Sequence, residues 1–454
     1  MQMKRTSAAV AAVLALTTAA ACSSSKKSGG SGGSKAAALP AGCSAYQAYA
    51  GHKGSTVTMF GSILSPESDS LNKSWAEFSK CTGITIKYTG SNTFESDLPV
   101  KVNGGNAPNL AIIPQPGLLK QMVATGSVKK PPKQTVANES AWTSVWKGYG
   151  SVNGTFYAAP MSANMKTMVW YSPTFFKQHN YTVPTTWADL MSLSAKMATD
   201  MKASGGKPWC GGIGSGTASG WPATDWLEET VLGSFGGQVY DDWVAHKVKF
   251  SDPQIQQAMK TMQNWMLNPN WVNGGHGDVK TIATTTFQNA GVPILKNKCG
   301  MLQQASFYEA QWPKGTKSGP DGDVMAFYLP PVSPSVKTPV EGGGEFVTAF
   351  SNSPAVQAVQ NYLSTAAWAE SRIKVAHGWV SANQKVDKSL YTDPIDQLSA
   401  KYLTDANSTF RFDASDLMPA AVGSGAEWKQ MVAWFGQGKS ASAVASAIDA
   451  AWPQ

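Results

Sequence analysis

The sequence predicts an α/β protein built in two lobes. Two series of alternating strand and helix patterns, one ending at Pro160 and one restarting after it, carry the class. The stretch from about Leu39 to Gln454 exceeds the size at which one hydrophobic core keeps growing, and this carries the division.

The first series opens with a short strand in which Val57 and Met59 alternate with polar residues. Leu71, Trp75 and Phe78 then recur at helical spacing, and Ile84, Ile86 and Tyr88 alternate again, which makes a β-α-β unit. A helix near Glu95 to Val102, a strand at Leu110 to Ile113 and a helix from Gly117 to Ala124, stopped by Gly126, continue the rhythm. Such alternation implies a mostly parallel sheet covered by helices. Asn153-Gly154 reads as a hairpin turn between two short strands. The second series places strands at Met168 to Tyr171 and around Cys210 to Ile213, with a helix at Trp187 to Met197 between them. Thr224 or Asp225 should open a helix, with Glu228 placed to close a capping box. Pro253 after Asp252 and Pro354 after Ser353 start further helices, and strands recur at Val324 to Leu329 and Phe346 to Phe350.

Residues 1–21 read as an export signal: Lys4 and Arg5, an apolar stretch from Ala8 to Ala21, then Cys22. The stretch is shorter than the roughly 20 apolar residues that cross a bilayer. It resembles a bacterial lipoprotein signal, in which Cys22 is lipidated; Ala19 to Ala21 would also suit an ordinary signal peptidase. The run SSSKKSGGSGGSK within residues 22–38 has the composition of a flexible linker, and a diacylated Cys22 aided by Lys26 and Lys27 would hold the body at the outer face of the cytoplasmic membrane.

Formal charge is +8 with 15% charged residues, and no basic stripe interleaved with aromatics stands out, so nucleic acid is not an expected partner. Cys43, Cys81, Cys210 and Cys299 form an even set in an exported chain and suggest two disulfides. Of the three pairings, Cys43 with Cys81 and Cys210 with Cys299 is favoured, because the first two flank one βα segment and the others lie mid-chain. The cysteines lack zinc spacing and the histidines are scattered, so neither metal nor cofactor is expected. Ser70 to Lys73 matches S-x-x-K without its companion motifs, and the glycine-rich run from Cys210 to Gly220 lacks a phosphate-loop ending.

Tryptophan is the positive signal, with seventeen in the chain. A flat aromatic face suits the C-H face of a pyranose, and neighbouring carboxylates or amides can bond its hydroxyls. Trp170, Trp221, Trp226 and Trp379, beside loop-forming residues, are the candidates, whereas Trp75, Trp265 and Trp434 lie in helical stretches and read as core. Asp225, and Arg411, Asp413 and Asp416 in FRFDASDLMP, are polar candidates, with helix capping as the competing role for the aspartates.

The segments VNGTFYAAP, MVWYSPTFF, GWPATDWLEE, MLQQASF, GGGEFVTAF and FDASDLMP together resemble the family 1 extracellular solute-binding proteins of ABC importers, in their α-glucoside-type branch. Where that family often carries aspartate after a proline, this chain has Asn109. The resemblance implies a periplasmic-binding-protein-like clamshell of type II, the maltose-binding-protein-like class, with three inter-lobe crossings. Residues 39–160 with 341–404 would form one lobe and 161–340 with 405–454 the other. It also implies a saccharide ligand in the cleft, delivery to an ABC permease, and no catalysis. By position it adds Ser62, Glu67, Gln304, Gly343, Gly344 and Glu345 to the binding set. A monomer is expected. A secreted glycoside hydrolase and a peptide-binding surface lipoprotein are the alternatives.

Overall fold

The computed structural model describes residues Ala38 to Pro453. The signal segment, Cys22, and the linker up to Ala37 lie outside the described residues.

Strands β1 (Thr56–Gly61), β2 (Thr85–Gly90) and β3 (Leu110–Ile113) arise where the alternation predicts them and pair in parallel. Helices cross between them, Glu67–Ser74 and Ala76–Thr82 after β1 and Phe94–Asn103 after β2. All four residues of β3 are buried, as a central strand covered on both faces requires. The hairpin at Asn153-Gly154 joins β4 (Ser151–Val152) to β5 (Thr155–Phe156), and both turn residues take positive φ, 50° and 74°. Then come β6 (Ala158–Pro160), β7 (Asn164–Met165), β8 (Met168–Tyr171), β9 (Lys207–Cys210), β10 (Cys299–Gln303), β11 (Met325–Tyr328), β12 (Pro339–Gly343), β13 (Phe346–Ala349) and β14 (Thr409–Phe412).

Among the described residues three sheets of three or more strands result. The first is ordered β2-β1-β3-β13-β6, the second β11-β8-β10-β9, and a small third sheet β14-β12-β7. Parallel pairing joins β2-β1-β3, β9 with β10 and β12 with β14, but the sheets are mixed and not mostly parallel. Strand β13 runs antiparallel to β3 and β6, and in the second sheet β8 is antiparallel to both β10 and β11. Side-chain periodicity records which residues form a strand, not the direction in which a distant strand returns.

Each large sheet carries its own core. In the first, Phe78 stacks on Tyr362 at 4.2 Å, and Tyr46 and Tyr49 meet that pair edge-on. Trp75 is buried here, and Trp265 and Trp434 are buried in the second core, as their helical spacing indicates. The Cys43–Cys81 disulfide fastens the Ser44–Tyr49 segment to the first core, and Cys210–Cys299 joins the neighbouring strands β9 and β10. The third sheet draws one strand from each passage of the chain between the two cores, with β12 central. Helix Pro394–Thr404 packs at this junction through Ile395, Leu398 and Tyr402.

The capping box does not form. Its helix starts one turn earlier, at Trp221 with Pro222 in the first turn, and runs to Val244 across a break at Gly236. Asp225 and Glu228 are therefore interior to the helix, and their carboxylates are used elsewhere. Among the described residues no helix is long and apolar enough to cross a membrane.

Candidate functional site

The parallel strands β1, β2 and β3 end at one edge of a cavity of about 960 Å³, its mouth included. Their carboxyl-terminal loops supply Ser62 and Glu67, Asn92 and Glu95, and Gln115. The facing wall comes from the second sheet: Trp221 at its helix start, packed edge-on against Phe287 at 5.0 Å and tilted against Phe307 at 5.9 Å, with Gln288 and Gln311 beside them. The floor is built from the third sheet and its exits, with Asn164 in β7 and Lys166 just after it, Gly343 at the end of β12 with Gly344 and Glu345 following, and Asp413 and Asp416 after β14. Gly344 is there for closeness: a Cβ on it would lie 2.2 Å from the Ser162 carbonyl oxygen.

The walls touch at the rim. Thr217 donates its N–H and its hydroxyl to the carbonyl of Asn92, at 3.1 and 3.2 Å. Gly216, at φ 60°, would place any Cβ 2.5 Å from that oxygen.

Beneath the floor lies a buried charge network. The Lys166 ammonium donates to Asp225 at 2.8 Å and also to Asp413. Asp413 in turn accepts from the Ser415 hydroxyl and the Asp416 N–H, both at 2.8 Å, so it caps the 414–417 turn and holds Lys166 at once. Glu228 accepts from the N–H groups of Ala414 and Ser415 and from the Tyr240 hydroxyl. Burial opposes the Lys166 charge, but Asp225, Asp413 and Glu341 more than offset it and keep the ammonium above its ordinary range. Burial pushes Asp225 up to about 7 against the pull of Lys166, and Glu345 up to about 8, reinforced by Glu67. Glu67 and Glu95 are also raised by burial, eased by Arg372 and by Gln115 respectively. Asp225, Glu341 and Asp413 bring carboxylate oxygens within 4.8 Å of one another, and the Lys166 ammonium pairs with two of them, Asp225 and Asp413.

Of the residues singled out from sequence, Ser62, Glu67, Trp221, Gly343, Gly344, Glu345, Asp413 and Asp416 line this cavity. The others do not. Trp170 is fully buried, with its indole N–H on the Gln304 carbonyl at 3.0 Å, and Gln304 turns its own side-chain oxygen to the Ala305 N–H. Trp226 is core, packed on Phe435 on the inner face of its helix. Trp379 lies edge-on to Trp368 with Arg372 over its ring. Arg411 forms a two-pronged ion pair with Asp241, at 2.6 and 2.8 Å, away from the cleft. Asp225 sits one layer below the cavity.

Residues not read from sequence include Asn92, Glu95, Gln115, Asn164, Lys166, Phe287, Phe307 and Trp428. The first three were findable, because ligands gather at the carboxyl ends of parallel strands in such sheets. Asn109 bonds the β1 edge, accepting from the Thr58 N–H at 2.9 Å, so the asparagine keeps a strand-end contact.

Two sheets with separate cores, three passages between them and a cavity where they meet define a two-lobed ligand-binding protein of the maltose-binding type. The chain belongs to the bacterial extracellular solute-binding protein family, whose model matches residues 64–372. It is 33% identical over 419 residues to the alpha-glucosides-binding periplasmic protein AglE of Rhizobium meliloti, covering 88% of this chain and 87% of that one. It is 31% identical over 406 residues to the osmoprotective compounds-binding protein GgtB of Synechocystis, covering 88% and 92%. The solute receptor AcbH, described as preferring β-D-galactopyranose, superposes with TM-score 0.73 at 18% identity, over 88% of this chain and 98% of that one. The maltose-bound T. maritima MalE3 superposes with TM-score 0.66 at 17% identity, over 87% and 98%. The chain is thus an exported solute-binding protein and not an enzyme.

Proposed function

We propose that this protein captures a saccharide, an α-glucoside or related oligosaccharide, in the cavity and delivers it unchanged to an ABC permease. The observation that carries this reading is the pairing of an aromatic wall, Trp221 with Phe287 and Phe307, with an opposite wall and floor of carboxylates and amides. Rings supply a flat apolar face for the C-H side of a sugar, and Glu67, Glu345, Asp416, Gln115 and Asn164 accept or donate to its hydroxyls. The named ligands of AglE and MalE3, α-glucosides and maltose, support the same class. The binding set is Ser62, Glu67, Trp221, Gly343, Gly344, Glu345, Asp413 and Asp416, with Lys166 and Asp225 positioning Asp413.

In this reading residues 39–160 with 341–404 and residues 161–340 with 405–454 are the lobes, and the ligand stabilises the shut form by touching both. The receptor works as a monomer held by lipid on Cys22. Mass spectrometry of membrane-extracted protein tests the anchor: an unmodified Cys22, or a first residue beyond it, overturns it. A thermal-shift panel of mono- and disaccharides tests the ligand class. The expected result is a raised melting temperature with one or more α-glucosides and their recovery unaltered. No shift with any sugar, or release of reducing ends, overturns the reading.

A further inference from the structure

Trp379 does not reach the cavity, yet it belongs to a chain of contacts that does. The helix Glu67–Ser74 follows β1 and carries the cavity residue Glu67 in its first position. A second helix, Ala366–Ile373, packs along it. From that helix Trp368 donates its indole N–H to the Ser74 hydroxyl at 3.0 Å. Arg372, one turn on, brings its guanidinium to 3.8 Å from the Glu67 carboxylate. Glu67 and Ser74 lie two turns apart on one face of their helix, as Trp368 and Arg372 share a face of theirs. One helix therefore holds both ends of the other.

The guanidinium is held in turn. The Trp379 ring lies against it at 5.6 Å, and the Trp379 N–H is fixed by the Asp396 carboxylate at 3.0 Å. Arg372 is 1% exposed, and its Nε and Nη1 have no hydrogen-bond partner among the described residues. A buried guanidinium with unused donors is less stabilising than an apolar side chain packed in the same space. Such a departure beside a binding cavity is expected where function requires the charge. That charge meets Glu67. Burial favours the protonated form of the Glu67 carboxyl, and Arg372 opposes this. An ionised carboxylate held by a cation presents its oxygens to a hydroxyl in a fixed direction, whereas a protonated one gives up part of its accepting capacity.

We propose that Arg372 is a positioning residue for saccharide binding: from behind the wall, braced by Trp379, it fixes the Glu67 carboxylate as an acceptor for a sugar hydroxyl. This rests on the saccharide reading above and assigns the residue that stands behind one of its contacts.

Calorimetric titration at pH 7 with maltose, trehalose and sucrose tests it, on the parent, Arg372→Met, Glu67→Gln and the double variant, each checked by circular dichroism and thermal melting. Arg372→Met should weaken binding of the sugar the parent takes by about tenfold. With glutamine already at position 67 the same change should cost no more than about twofold, because an effect that runs through Glu67 is then absent. Arg372→Lys, which keeps a charge for a single-pronged contact, should restore most of the affinity. Arg372→Gln runs the same cycle if the methionine variant does not fold. Losses from Arg372→Met and Glu67→Gln that simply multiply, or a lysine variant as weak as the methionine one, overturn the positioning role and leave saccharide capture standing. Binding of none of the three sugars by the parent overturns both.

Discussion

The Lys166 ammonium reaches Asp413 across a sequence separation of 247 residues and closes the floor of the cleft from below. Lys166 follows β7 and Asp413 follows β14, so this pair ties together the two outer strands of the small sheet through which the chain passes between the cores. Asp413 also caps the turn that presents Asp416, and the network therefore positions a cavity residue while it joins the crossings.

Replacing Lys166 by methionine should destabilise the protein by about 3–5 kcal/mol, because it leaves the buried Asp225 and Asp413 without their counter-ion. Urea unfolding at pH 7 measures this. Adding Asp225→Asn to the same chain should recover part of the loss, and no recovery would show that packing, not charge, sets the cost.

Two tryptophans five residues apart should behave oppositely. Trp221 lines the cavity, whereas Trp226 is 1% exposed in the second core. Trp221→Ala should weaken saccharide affinity by about tenfold with little change in melting temperature. Trp226→Ala should cost about 3–5 kcal/mol of stability. Titration and thermal denaturation of both variants separate the roles, and equal affinities in Trp221→Ala and the parent would remove the aromatic wall from the site.

Stability should fall as pH rises from about 4.5 to about 9. Glu345, Asp225 and Glu229 keep their protons in the fold up to about 8, 7 and 8, while the unfolded chain releases them near the ordinary carboxylate range. The folded state thus binds more protons in this window, and raising the pH favours unfolding. His377, raised to about 9 by Asp396, adds in the same direction: its contribution is complete below pH 6.5 and lost through about 9. Its half-exposed side chain makes that share small. Melting temperatures across the range check the slope, which Glu345→Gln should flatten.

Gly216→Val should loosen the rim, since the added side chain collides with the Asn92 carbonyl and Gly216 holds a left-handed conformation. The expected effect is faster ligand dissociation with unfolding behaviour preserved, read by stopped-flow tryptophan emission. An unchanged rate would show that the Asn92–Thr217 contact does not hold the ligand in.

The sequence made the elements legible because alternation and helical spacing are local. Val57 and Met59 in β1, the Asn153-Gly154 hairpin and both disulfides were readable on that basis. Strand direction was not, as β8 and β13 show, because it depends on pairing with residues far along the chain. The site divided along the same line. Trp221 and Trp226 share a motif, and which of them faces the ligand follows from a helix start that Pro222 moved one turn upstream of the expected cap. Arg411 carried the chemistry for hydroxyl recognition, yet Asp241 on a neighbouring helix claims both prongs of its guanidinium. Lys166 gave no local signal at all, since its role exists only where three distant segments meet.

The Cys43–Cys81 bond has a mechanical meaning. Cys43 stands at the amino end of the Ser44–Tyr49 segment, and it is covalently joined to a helix packed in the first core. A pull applied at Cys43 would be borne by sulfur and spread into the stacked rings of Phe78 and Tyr362, instead of peeling residues 44–49 from their seat one hydrogen bond at a time.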